Sequence, residues 1–346
     1  MPKASEQVIQ AVATTLAEVA PPGDAVLLVA VSGGVDSMVL WHALATFGTG
    51  TVIACHLNHG LRAAAKEEAA LVRQRAKTIG CRCVAARADV GKEARRLGVS
   101  VQEAGRRARR AFFARQAQRF GARLLFLAHH ADDQAETVLW NLVRGSSPRG
   151  VAGIAPDAFQ DFDGLTLRVL RPLLNLRKST LVEAAREADI PWLEDQSNTQ
   201  TTYTRNCIRL QAIPALREST GRDPVPTLAR FAALARDDEE WLAQIADDAA
   251  THVGTPCGGI TLAGLRQLPR PLARRVIESW LRTYGCRDLD CHSTLRALAV
   301  ALADNKPRAV NLAGGMRVSR RRGVLVCLAA PPTPTKRISR NSVTGE

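Results

Sequence analysis

Two observations predict an α/β, doubly wound fold with a mostly parallel sheet. Short apolar runs alternate with amphipathic stretches through the first half of the chain, and a glycine pair sits where the first run gives way to the first helical segment. Residues 25–31 read as a buried strand and 37–46 as a helix. A second strand over 51–56 leads to a helix over 66–79, and a third over 81–87 to a helix over 102–120. The fourth strand spans 123–128 and its helix 132–143, with a further strand at 165–170 and a helix at 178–188. Strands joined by helices at this interval make a parallel sheet covered on both faces.

The pattern changes after Pro214. Residues 220–226 are rich in chain breakers and mark the preferred boundary. Beyond them, 228–249, 271–284 and 293–303 have helical spacing, while 309–328 alternates around two glycine turns as an antiparallel meander. The expected domains are therefore 1–217, a smaller, mainly helical α+β domain over 218–330, and a disordered basic tail over 331–346. No further C-terminal module is expected after the meander.

The chain has 346 residues, with 47 Lys and Arg against 33 Asp and Glu, a net charge of +14. That surplus implies a polyanionic partner, either nucleic acid or an anionic surface. Membrane insertion is disfavoured, because the apolar run at 25–31 is far short of the ~20 residues a spanning helix needs. No signal peptide is apparent, so a cytoplasmic location is expected. The eight cysteines include no C-x-x-C pair and are expected as reduced thiols rather than metal ligands.

The strongest motif is Ser32-Gly33-Gly34-Val35-Asp36-Ser37. Two glycines let backbone amides approach an anion, and the positive end of the following helix favours phosphate there. Ser32 and Ser37 can donate hydroxyl hydrogen bonds, and Asp36 can hold Mg²⁺ together with phosphate oxygens. The motif lacks the lysine of the Gly-Lys-Ser/Thr nucleotide loop and the third glycine of a dinucleotide fingerprint. Five fixed residues, each at about 6% usage, coincide by chance roughly once per million start positions. A mere strand-to-helix turn is therefore a poor account of it.

This loop resembles that of the N-type ATP pyrophosphatases. Three more segments narrow the likeness to the tRNA(Ile)-lysidine synthetases: His56-Leu57-Asn58-His59-Gly60-Leu61-Arg62, His129 to Thr137, and Ser197-Asn198 through Arg209. The resemblance covers residues 25–217 best. It implies ATP and Mg²⁺ as cofactors and a tRNA(Ile) with a CAU anticodon and L-lysine as substrates. Lysine would join C2 of the wobble cytidine through an adenylated intermediate, releasing AMP and pyrophosphate. No stable protein partner is implied, and a homodimer stays open.

His129, His130, Asp132, Asp133 and Glu136 follow the fourth strand, at the end where open α/β sheets bind ligands. Asp133 and Glu136 share a helix face and could hold Mg²⁺ or an amine's ammonium. Either histidine could take the proton from that amine, and Asp132 could equally be a helix cap. Metal contact is assigned to Asp36 and Asp133. His56 and His59 read as structural. Residues 87–123 carry eleven basic side chains and three acids, and Arg110 is placed at the reacting base or the AMP phosphate. Arg205 is a similar candidate and Arg209 a weaker one. Arg317, Arg320, Arg321 and Arg322 suit tRNA phosphates. The chain departs from the family pattern at Ala111, Ser147 and Gln196. A tRNA thiolase, a small-molecule ATP-dependent amide ligase and an inactive RNA-binding protein are the alternatives. The first lacks its cysteine pair, and the second fits the charge poorly.

Overall fold

In a computed structural model of the protein, which describes residues 2–60, 65–194, 204–286, 291–312 and 315–329, the first apolar run forms β1 (Val26–Ala30) at the centre of a sheet. Its side chains alternate in facing, and both faces are apolar. Leu27 and Val29 join one core cluster and Leu28 another. The helix α1 (Ala4–Val19) precedes it. After β1 come α2 (Val35–Phe47), β2 (Thr51–Asn58), α3 (Ala65–Thr78), β3 (Arg82–Arg87), α4 (Val90–Leu97), α5 (Val101–Phe120), β4 (Leu124–Phe126), α6 (Ala131–Val143) and α7 (Pro148–Val151). The sheet is completed by β5 (Asp157–Phe162) and β6 (Leu165–Leu170), followed by α8 (Lys178–Glu187). A continuous helical stretch then contains α9 (Thr204–Cys207), a π-helical turn (Ile208–Ala212) and α10 (Ile213–Thr220), and α11 (Pro224–Val253) follows.

The sheet order is β3-β2-β1-β4-β6-β5, parallel except for the β5–β6 hairpin. One face is covered by α1, α2, α3 and α8, where Trp41, Met38, Leu40 and Leu44 are buried. The other is covered by α5 through Phe112 and Phe113. The mostly parallel, doubly wound sheet expected from the sequence is the one observed. Several observed elements lie outside that expectation, α1 and β5 among them. Helix α1 buries Val8, Val12 and Leu16 at four-residue spacing. Strand β5 is polar and alternately exposed, as an antiparallel edge strand can be.

The chain forms two compact units, residues 1–142 with 151–233, and 143–150 with 234–346. The breaker-rich stretch at 220–226 opens a helix rather than a loop. Asp223 caps α11 by accepting from the Val225 amide at 3.3 Å, and Pro224 occupies the first turn, where its missing N–H costs nothing. In the second unit, β7 (Ile260–Thr261), α12 (Leu262–Gln267), α13 (Arg270–Thr283), α14 (Cys291–Leu302), β8 (Ala309–Leu312), β9 (Met316–Arg321) and β10 (Val324–Ala329) build a helical layer on an antiparallel sheet of order β7-β10-β9-β8. Its core contains Val276, Ile277, Leu281, Leu298, Val318 and Leu325. No helix among the described residues is long and apolar enough to cross a membrane.

Gly153 is among the sterically closed positions of the first unit. It has φ +67°, and a Cβ there would lie 2.6 Å from Gln134 Oε1. The Gln134 amide is itself committed, accepting from Ile154 N at 2.7 Å and donating to Ile154 O at 3.2 Å. A Gly153→Ala variant is expected to lose ~1–3 kcal/mol of stability from strain and displacement of that buried amide. Chemical denaturation would measure it, and an unchanged midpoint would contradict the expectation.

Candidate active site

The order of strands reverses between β1 and β4, so the loops leaving these two strands diverge and open a crevice at their carboxyl ends. Residues 31–34 line one side and His129 to Asp133 the other. In the first loop, Gly33 takes φ +97°, and its carbonyl accepts from Leu193 N at 3.0 Å. Ser32 N donates to Ser37 Oγ at 3.1 Å, Gly34 N to Ser32 Oγ at 3.3 Å, and Ser37 Oγ to Gly34 O at 2.9 Å. The two hydroxyls thus hold the amides in a curved arrangement that an anion's oxygens could take over. Gly34 is the N-cap of α2 and supplies no side chain, so the helix end stays open to an acceptor. His56 is buried and its Nδ1 lies 2.9 Å from Val31 O, tying β2 to the loop. Burial lowers its pKa, and the backbone bond to Val31 only partly offsets this. It reads as structural.

Asp36, in the first turn of α2, has both carboxylate oxygens 2.7 Å from Lys178 Nζ. Lys178 is the first residue of α8, and its backbone N donates to Asp132 Oδ2 at 2.9 Å. Asp132 also accepts from Arg177 at 3.0 and 3.3 Å, and Arg177 reaches on to Asp223. Asp132 is therefore a cap, but for a helix 46 residues away rather than for its own. Burial pushes its pKa up, yet the nearby His130 ring and the bonds from Arg177 and the Lys178 amide outweigh this and hold it well below the usual carboxylate range.

His130 is buried among three carboxylates. Its Nε2 lies 3.4 Å from Asp133 Oδ2 and 3.8 Å from Asp36 Oδ2, and its Nδ1 3.5 Å from Asp132 Oδ2. These separations are long for good hydrogen bonds, so the attraction is mainly one of charge. Burial lowers its pKa, but the three aspartates outweigh that and raise it. A raised pKa stabilises the fold fully below the unfolded value of 6.5, and this contribution is lost as pH rises through the folded value. Without nucleotide or magnesium, the stability advantage of wild type over His130→Gln is expected to shrink as pH rises above 6.5. Thermal midpoints across pH 6–9 check this, and an advantage that grows with pH would contradict it.

Asp133 Oδ2 accepts from His130 N at 3.1 Å, one half of a capping box for α6. Glu136, 2% exposed, accepts from Arg209 at 2.5 and 3.2 Å, and Arg209 also reaches Asp133 at 3.3 Å. Arg209 sits on the π-helical turn, a feature frequent at functional sites. The crevice thus brings together Ser32, Gly33, Gly34, Val35, Asp36, Ser37, His130, Asp133 and Glu136, with His129 immediately before His130.

It does not bring in Arg110. That side chain bonds Asp161 O and Oδ1 at the β5–β6 turn and lies over the Phe162 ring. The turn is at the amino end of the parallel strands, since β6 runs parallel to β4 from Leu165 onward. Helical spacing put Arg110 on a face but could not say toward which end it reaches. The Arg205 side chain, Arg62 and residues 195–203 lie outside the described residues, as does the tail 331–346. Arg320 donates to the carbonyls of Ala303, Asp304, Asn305 and Pro307, and so closes a turn rather than facing phosphate. Arg317, Arg321 and Arg322 are exposed.

The PP-loop domain model matches residues 5–216. The tRNA(Ile)-lysidine synthase of Ralstonia nicotianae is 34% identical over 328 residues, which is 92% of this chain and 68% of that protein. The chain belongs to the PP-loop family, on its tRNA(Ile)-lysidine synthase branch. Its synthase relatives also include that of Burkholderia pseudomallei, 39% identical over 76% of this chain and 53% of that protein. Another is that of Bacillus subtilis, 33% identical over 73% and 54%. The chain spans about half the length of several curated relatives it matches. A solved U34-tRNA thiolase from Methanococcus maripaludis, with its [4Fe-4S] cluster, aligns at TM-score 0.53 and 14% identity over 67% of this chain and 78% of that one. That likeness is one of fold.

Among the described residues, no group of three or more His, Cys, Asp or Glu side chains is arranged to cage a metal. The PP-loop nonetheless fits Mg²⁺ in the manner that ion prefers, one carboxylate completed by phosphates and water. Asp36 is the carboxylate of the loop that would hold such an ion.

Proposed function

We propose that this PP-loop protein joins lysine to C2 of the wobble cytidine of a CAU-anticodon tRNA(Ile), using ATP. The observation that carries the reading is the facing of the Ser32–Ser37 loop and the His130–Asp133–Glu136 group across one crevice. Loop amides and the α2 N-terminus hold the pyrophosphate half of ATP, and Asp36 would hold Mg²⁺, which would supply neutralisation of phosphate charge. The C2 oxygen attacks the α-phosphorus and pyrophosphate leaves. The lysine ε-amine, having lost a proton, then attacks C2, and AMP departs with the oxygen.

His129 or His130 accepts the proton; the three aspartates around His130 raise its pKa against the effect of burial and so make it a stronger base than an ordinary histidine. Asp133 faces the incoming ammonium, while Glu136, already bonded on both oxygens by Arg209, positions that guanidinium rather than meeting substrate. Arg205 is retained as a catalytic candidate, and Asp133 as a second metal contact. Residues 1–217 form the catalytic domain in this reading. Residues 218–330, with exposed Arg317, Arg321 and Arg322, hold tRNA phosphates through salt-sensitive contacts. The location is cytoplasmic, where the tRNA is.

The test is mass spectrometry of unmodified CAU-anticodon tRNA(Ile) after incubation with the protein, ATP and lysine. The expected product carries one lysine on the wobble base, and an adenylated tRNA accumulates when lysine is withheld. ATP cleavage that leaves the tRNA mass unchanged in both arms would refute the reading.

A further inference from the structure

The PP-loop lacks the lysine that other phosphate loops carry within their own sequence, yet an ammonium sits at its aspartate. We propose that Lys178 is the phosphate-binding lysine of this loop, parked on Asp36 in the free protein and drawn onto the pyrophosphate half of ATP when nucleotide binds. The inference rests on the reading that the loop takes that half of ATP.

Three features support it. Lys178 is the first residue of α8, and a cation there opposes the positive helix end, as does Arg177 before it. Nothing in α8 explains that placement, but the aspartates of two other elements do: Asp132 receives the Lys178 amide and Asp36 its ammonium. The backbone of Lys178 is fixed, whereas its side chain is 42% exposed and that of Asp36 is 27% exposed. The ammonium can therefore swing on its four-carbon stem without moving the helix. Finally, Nζ lies equally close to both Asp36 oxygens, the donors a divalent ion would need.

A consequence follows from that last contact. In the free protein, Lys178 and a divalent ion compete for one carboxylate, so the loop binds the bare ion poorly. Phosphate oxygens give the ammonium a new partner, and the competition becomes cooperation.

The test compares wild type, Lys178→Met and Lys178→Arg in two titrations: Mn²⁺ alone, followed by electron paramagnetic resonance, and magnesium pyrophosphate, followed by calorimetry. In Lys178→Met, Mn²⁺ is expected to bind about tenfold more tightly, and pyrophosphate roughly ten- to a hundredfold more weakly, the size of one contact to a charged group. Lys178→Arg should recover part of the pyrophosphate affinity. Lys178→Met with wild-type affinity for either probe overturns the proposal and leaves the nucleotide reading standing. A folded wild type that binds neither magnesium pyrophosphate nor ATP overturns both. Circular dichroism of α8-containing protein separates misfolding from lost contact, and a variant that misfolds is replaced by Lys178→Gln in the same titrations.

Discussion

Asp36→Asn is expected to reduce lysine- and tRNA-dependent release of AMP at least about a thousandfold, equivalent to ~4 kcal/mol of lost transition-state stabilisation. The substitution keeps the side chain's size and its place in the first turn of α2, and removes only its charge. In the free protein that charge holds Lys178, and in the proposed reaction it holds the magnesium that neutralises departing pyrophosphate.

The same change should hardly affect folding. The pair is partly exposed, with side chains 27% and 42% accessible, so solvent screening leaves it worth at most ~1 kcal/mol. A large kinetic effect with a nearly unchanged thermal midpoint is the expected signature. Quantifying AMP and pyrophosphate separately, with and without lysine, gives the readout. An Asp36→Asn protein turning over within about tenfold of wild type would remove Asp36 from the chemistry.

Much of this arrangement could be read from the chain because it is local. The apolar run at β1 and the glycine pair after it lie side by side in sequence, so the loop and its position at a strand end were legible. That Asp36 and His130 share a crevice was legible because each follows the carboxyl end of a parallel strand; the strand order that sets those strands side by side was not. What could not be read is long-range. Lys178 meets Asp36 across 142 positions and Arg177 meets Asp132 across 45, and no periodicity encodes such pairs. One signal did exist: two consecutive cations, Arg177 and Lys178, start a helix against its dipole, and a misplaced charge asks for a distant partner. Strand β5 escaped notice because Asp157-Ala158-Phe159-Gln160-Asp161-Phe162 alternates polar and apolar, unlike the buried runs around it. Arg110 was misplaced for a related reason. Its helix runs the length of the sheet, and spacing fixes a face but not an end.

The second large effect is expected at Glu136 and Arg209, and it falls on stability first. Glu136 is 2% exposed, and Arg209 bonds both its oxygens. Burial lowers the Arg209 pKa, but Glu136, Asp133 and Asp36 outweigh this and raise it. Arg209→Met would take both of these charged contacts from a buried carboxylate, at a cost of ~3 kcal/mol; this is the low end for such a loss, because the guanidinium is 36% exposed and water can reach the gap. Glu136→Gln with Arg209→Met removes both charges and should recover most of that loss. A double variant as unstable as the single one would mean that packing, not charge, holds this corner. Urea denaturation of wild type, both single variants and the double variant separates the two accounts. Catalysis supplies the independent check. If Glu136 acts by positioning Arg209, the stable double variant stays folded yet turns over no faster than Arg209→Met, because recovered stability does not restore the guanidinium that Glu136 positions.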